Sequence, residues 1–133
     1  MRRLFEDYYA VESDYYQRTK IFPIMHVVAI RRELYQKNPW IAQSLCKGLV
    51  QSQRITYEDL RQTAALKVML PWLIKHLEDT EKALGKEFWP YGFEPNVNTL
   101  STFLRYSYEQ GLAKRLLQPK ELFAPESLES FKI

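Results

Sequence analysis

Residues 21 to 30 read Ile21-Phe22-Pro23-Ile24-Met25-His26-Val27-Val28-Ala29-Ile30, and no other stretch of the chain has the composition of a β-strand. The run is rich in β-branched residues and apolar for nearly its whole length. Such a pattern fits a strand covered on both faces, as in the middle of an α/β sheet. Alternation sets Phe22, Ile24, His26, Val28 and Ile30 on one face and Ile21, Pro23, Met25, Val27 and Ala29 on the other. Pro23 removes one ladder donor and points to a strand start, a bulge or an edge position. A lone strand cannot satisfy its own backbone N–H and C=O groups. Every other segment reads as helix. The expected fold is therefore α/β and mostly helical, with one main strand whose flanking strands lie outside this chain.

Working outward, 11–20 reads as a short helix and 31–37 as a further turn or two. Asn38 and Pro39 then suit an N-cap and a first helical position. Ile41, Leu45 and Leu49 form an i, i+4, i+8 stripe, which Tyr57, Leu60 and Ala64 continue after a slip near Gln53. One long helix or two joined helices fit 40–70, ended or kinked by Pro71. Leu73, Leu77 and Leu84 mark another amphipathic helix, stopped by Gly85. Residues 88–95 form an aromatic, proline-stiffened loop. Asn96 or Asn98 then caps a helix with Leu100, Phe103, Leu104, Ser107 and Tyr108 on one face, closed by Gly111. Short helical turns are expected at 119–123 and 125–131.

The 133 residues suffice for one domain, and 46% hydrophobic with 26% charged residues is a globular rather than a disordered composition. The net charge of +3 comes from Lys and Arg scattered among Asp and Glu, so no nucleic-acid surface is indicated. No apolar stretch approaches the ~20 residues of a membrane span. The single cysteine, Cys46, excludes an internal disulfide and reads as a packed small hydrophobe. Glu6 and Asp7 interrupt any signal-like apolar region at the N-terminus, and nothing in the chain targets it to a compartment.

Glycine-rich phosphate loops, CxxC, HExxH and GxSxG are all missing. No metal site and no particular cofactor is indicated. His76, on a charged helix, reads as a surface residue. His26 interrupts an apolar run, and two readings stay open for it: a core histidine bonded to backbone, or an imidazole poised for proton transfer near neutral pH. The aromatic content of 14% includes nine tyrosines. These fit either amphipathic packing or an aromatic-lined ligand cleft.

Longer runs are more specific. They are Thr19-Lys20-Ile21-Phe22-Pro23-Ile24-Met25-His26, Asn38-Pro39-Trp40, Met69-Leu70-Pro71-Trp72, Phe88-Trp89-Pro90-Tyr91-Gly92, Phe103 through Leu112, and Glu121 through Glu126. In this order they resemble the C-terminal part of the 4,5-dihydroxyphthalate decarboxylase family, itself similar to the type II periplasmic binding proteins, the solute receptors of ABC importers. The resemblance implies that residues 1–133 are a single segment of a two-lobe fold whose N-terminal portion is not present. Lys20 stands where the family pattern leads one to expect glycine, so the turn before the Ile-Phe-Pro run is in question.

The chemistry implied is loss of CO2 from an electron-rich aromatic dicarboxylate to give protocatechuate, a lyase reaction. His26 is the expected proton donor. Trp89 and Tyr91 are the expected aromatic wall, with Tyr91 near the phenol or a carboxylate. The alternative is a fragment of a non-catalytic solute receptor, and a third reading is a truncated chain with no activity alone. The enzyme would be cytoplasmic and the receptor periplasmic. Expected partners are a small aromatic carboxylate and either the missing N-terminal half or a second copy.

Overall fold

The computed structural model describes residues 2–128, and the regular elements among them are all helical. They are α1 (Tyr8–Thr19), α2 (Arg32–Lys37), α3 (Trp40–Arg61), α4 (Leu73–Leu84) and α5 (Val97–Glu109), with 3-10 turns at Glu94–Asn96, Pro119–Leu122 and Pro125–Ser127. The α/β expectation is thereby overturned. Residues 21–30 form no strand, because a ladder needs a second extended segment and no described segment supplies one.

Two compact units divide the described chain. The first holds the residues up to Pro23 together with Tyr57–Trp89. Here α1 lies against α4 through side chains that reach main-chain oxygens. The Tyr16 hydroxyl donates to Leu84 O at 3.3 Å, and Gln17 Nε2 to Ala83 O at 2.8 Å. Asp7 caps the start of α1, its Oδ1 accepting from Ala10 N at 3.0 Å. Lys20 ends the helix in the left-handed region, φ 56°, with its N–H on Tyr16 O. Gly85 ends α4 at φ 92°, as its position after the leucine stripe leads one to expect.

The last turn of α3 joins this unit through two residues. Tyr57 is buried and packs 5.0 Å from the Phe88 ring. Arg61 bonds Glu81 Oε1 through Nε at 3.0 Å and Nη2 at 2.8 Å, and reaches Lys86 O. Sequence periodicity allowed helix to run on to residue 70, yet α3 stops at Arg61 and 62–70 is irregular. Leu66, Val68, Met69 and Leu70 are all exposed there. Helices of this size gain most of their stability from packing an apolar face, and these side chains have nothing to pack on.

The second unit holds Ile24–Thr56 and the described residues from Pro90 onward. Its core is Ala42 of α3, Leu100 and Leu104 of α5, and Phe93, whose ring meets Phe123 edge-on at 5.6 Å. The Tyr35 hydroxyl of α2 donates to Glu126 Oε2 at 2.7 Å and ties the 3-10 turn at Pro125–Ser127 to that helix. Arg115 forks onto both oxygens of Glu121 at 3.0 and 2.7 Å. Glu121 also accepts from Gln118 N, which closes the turn at Pro119–Leu122. Cys46 is half-buried in α3, and burial pushes its thiol up. The last turn expected from the sequence, 125–131, is helical over Pro125–Ser127, and its end lies outside the described residues.

Candidate functional site

His26 belongs to the second unit and sits in the irregular run that follows Pro23. Its side chain is exposed, and it makes no hydrogen bond or ion pair among the described residues. That disposes of the core-histidine reading, since a buried imidazole would need a partner. The apolar neighbours that suggested burial are themselves open: Met25 is 59% exposed, Val27 71% and Val28 66%. His76 is exposed on α4, as its charged surroundings imply.

Tyr91 also belongs to the second unit, on a turn that the fold holds firmly. Asn96 Nδ2 donates to Pro90 O at 2.9 Å and to Gly92 O at 2.8 Å, clamping the main chain on either side of Tyr91. Gly92 supplies the left-handed φ of 95° that the turn needs. Phe93, buried directly after it, anchors the loop to the core. The phenol ring is left 43% exposed on a fixed backbone. The sequence offers Asn96 or Asn98 as the helix cap. Asn96 does occupy the N-cap position of α5, but its side chain makes no capping bond there and serves the Tyr91 turn instead. Nothing in the sequence distinguishes these two uses of an asparagine.

Trp89 belongs to the first unit. Its main-chain N–H donates to the Tyr57 hydroxyl at 3.1 Å, and its ring lies 5.6 Å from that of Phe22, tilted by 58°. One edge of the indole stays open, at 39% exposure. Tyr57 entered the sequence reading only as part of an apolar stripe. The structure makes it the residue that positions Trp89.

The three expected site residues thus fall in two units, and no described hydrogen bond or ring contact joins His26 to Tyr91 within theirs. Among the described residues no group of three His, Cys, Asp or Glu side chains converges as a metal site would require. An open hollow in the first unit is lined by Leu66, Val68, Met69, Leu70 and Pro71. It offers no charged or hydrogen-bonding side chain with which to orient a dicarboxylate. No described helix is long and apolar enough to cross a membrane.

No family model matches the chain. Across all 133 residues it is 40% identical to a 4,5-dihydroxyphthalate decarboxylase of Comamonas testosteroni, and it spans 40% of that protein's length. The match extends over the segments that carried the resemblance in the sequence. It supports the decarboxylase likeness and not the likeness to periplasmic binding proteins.

Proposed function

We propose, for a chain that is a relative of the 4,5-dihydroxyphthalate decarboxylase family along all 133 of its residues, that it forms part of a decarboxylase acting on an aromatic dicarboxylate. The observation that carries this is the 40% identity over the full chain. The chain spans 40% of that relative's length, and the activity proposed is that of the whole protein.

The reaction protonates the ring carbon that bears the departing carboxylate. The C–C bond then breaks, its electron pair returns to the ring, and CO2 leaves. A phenol that gives up its proton to an acceptor pushes electron density toward that carbon and eases the first step. His26 is the proton donor in this proposal. An exposed imidazole with no protein partner among the described residues suits that role, because it can meet a ligand. Tyr91, on its clamped turn, contacts the phenol or a carboxylate. Trp89 offers an aromatic face, held by Tyr57.

The test is the release of CO2 and protocatechuate from 4,5-dihydroxyphthalate. The chain is assayed alone and joined to the portion of the Comamonas relative that it does not span. Turnover only in the completed protein supports the proposal. A folded completed protein that never turns the substrate over would sink it.

A further inference from the structure

We infer, resting on the role proposed above for Tyr91, that Asn96 is a positioning residue for the decarboxylation: its carboxamide sets the direction in which the Tyr91 hydroxyl is offered to the ligand. The main chain around Tyr91 cannot do this by itself. Residues 90–92 make no main-chain to main-chain hydrogen bond among the described residues. Pro90 has no N–H to give, and Gly92 turns the chain at φ 95°. A turn without hydrogen bonds of its own is held by whatever reaches it from elsewhere.

Asn96 Nδ2 supplies that hold, at 2.9 Å from Pro90 O and 2.8 Å from Gly92 O. Both partners are acceptors, so two donors are needed on one short side chain. The asparagine NH2 group has two, a hydroxyl has one and a carboxylate has none. Asn96 is itself fixed, since its main-chain N–H donates to Phe93 O at 3.0 Å and α5 follows it directly. Phe93 is buried and meets Phe123 edge-on. The loop from Pro90 to Asn96 is thus closed by a side chain and anchored by an aromatic ring, with Tyr91 between the two held carbonyls.

The Tyr91 hydroxyl makes no hydrogen bond among the described residues, and the residue is 43% exposed. A phenol with its hydrogen-bonding capacity unused, on a backbone already fixed, can meet a ligand without first being ordered. Asn96 touches no ligand in this scheme and acts through Tyr91. A group displaced by about 1 Å from its working position costs on the order of 100-fold in rate.

The test separates the clamp from the chemistry. Nitrogen relaxation gives the main-chain order parameter of Tyr91 in the 133-residue chain and in its Asn96→Ser variant. Serine suits an N-cap as well as asparagine does, so helix content and melting should hold, but one hydroxyl cannot serve both carbonyls. The Tyr91 value should fall from about 0.85 to below about 0.6. Asn96→Asp, which is ionised at neutral pH and then has no donor, should loosen Tyr91 likewise and replaces the serine variant if that one fails to fold. In the completed protein, Asn96→Ser should lower kcat/KM for 4,5-dihydroxyphthalate roughly 100-fold. The same change in a Tyr91→Phe background should cost no more than about 2-fold further, because the hydroxyl it positions is already gone. An unchanged Tyr91 order parameter, parent-level turnover in Asn96→Ser, or a second loss of roughly 100-fold on top of Tyr91→Phe would each overturn the inference and leave the proposed function standing. A completed protein that is inactive before any substitution defeats the proposed function and the role of Asn96 with it.

Discussion

Lys20 holds a backbone conformation that a glycine would hold at less cost. Its φ of 56° and ψ of 28° lie in the left-handed region, where a Cβ costs roughly 1–2 kcal/mol. The side chain recovers little, since Nζ reaches Gln17 Oε1 at 3.1 Å and lies 5.3 Å from the Tyr16 ring centroid at an exposed site. Lys20→Gly should therefore raise stability by about 1 kcal/mol, read as a higher urea midpoint with unchanged slope. Glu121 is a second residue with a measurable signature. The Arg115 fork, and then the Gln118 N–H, hold its carboxyl at about 2 rather than 4.5. A folded-state value below the unfolded one means the turn is stabilised fully above pH 4.5 and loses that support as pH falls toward 2. The protection factor of the Gln118 amide should fall across that window, and Arg115→Gln should move the onset to higher pH. His26→Ala, in the completed protein, should cut kcat by roughly 100 to 10,000-fold. Melting should be unchanged, because the imidazole supports nothing in the fold. Full activity in that variant would remove His26 from the mechanism. The turn at Lys20 was legible as a departure from the family pattern. The exposure of His26 was not, because apolar neighbours signal burial only if something covers them.

At the scale of elements, the parts of the sequence that carried both a stripe and a stop were read well. Helix α4 begins at Leu73 and ends before Gly85, and α5 begins after Asn96 and ends before Gly111. Their boundaries are set by local chemistry that the chain itself contains. Residues 21–30 and 62–70 depart from the expected strand and helix for one shared reason. Composition records a preference for strand or helix, but realising either depends on a surface to pack against, and tertiary context decides. Tyr57 shows the opposite case, a residue whose polar atom does more than its place in a stripe announced. Tyr57→Phe should keep the ring against Phe88 and remove the hydroxyl that accepts from the Trp89 main-chain N–H. A loss of about 1 kcal/mol is expected in denaturant unfolding, together with altered indole fluorescence. An unchanged Trp89 environment would show that the hydroxyl does not position that residue.

For the molecule as a whole, the length of the chain promised a substantial core, and the described residues have a thin one. Tyr57 and Leu73 are the buried apolar residues of the first unit, and Ala42, Phe93, Leu100, Leu104 and Pro119 those of the second, among the described residues. None of them is fully sealed from solvent. The run at residues 21–30, expected as the strand at the centre of the fold, forms no strand and adds nothing to this core. Which apolar side chains stay exposed was not legible, since that depends on geometry rather than on composition. The open segment between α3 and α4 has a further consequence, which a protease would reveal. Residues 62–72 are all exposed and outside any helix, and Lys67 is the basic residue among them, held only by a 3.9 Å exposed pair with Asp59. Brief trypsin treatment should cut after Lys67, since an irregular exposed backbone is what the enzyme's cleft accepts. The two pieces should still travel together on gel filtration and separate only under denaturing electrophoresis. The Tyr57–Phe88 packing, the Arg61–Glu81 pair and the bonds from α1 to α4 all bridge the cut. A covalent break at Lys67 would then leave a working clip of two peptides, a natural place to insert a tag or to split the protein for reassembly.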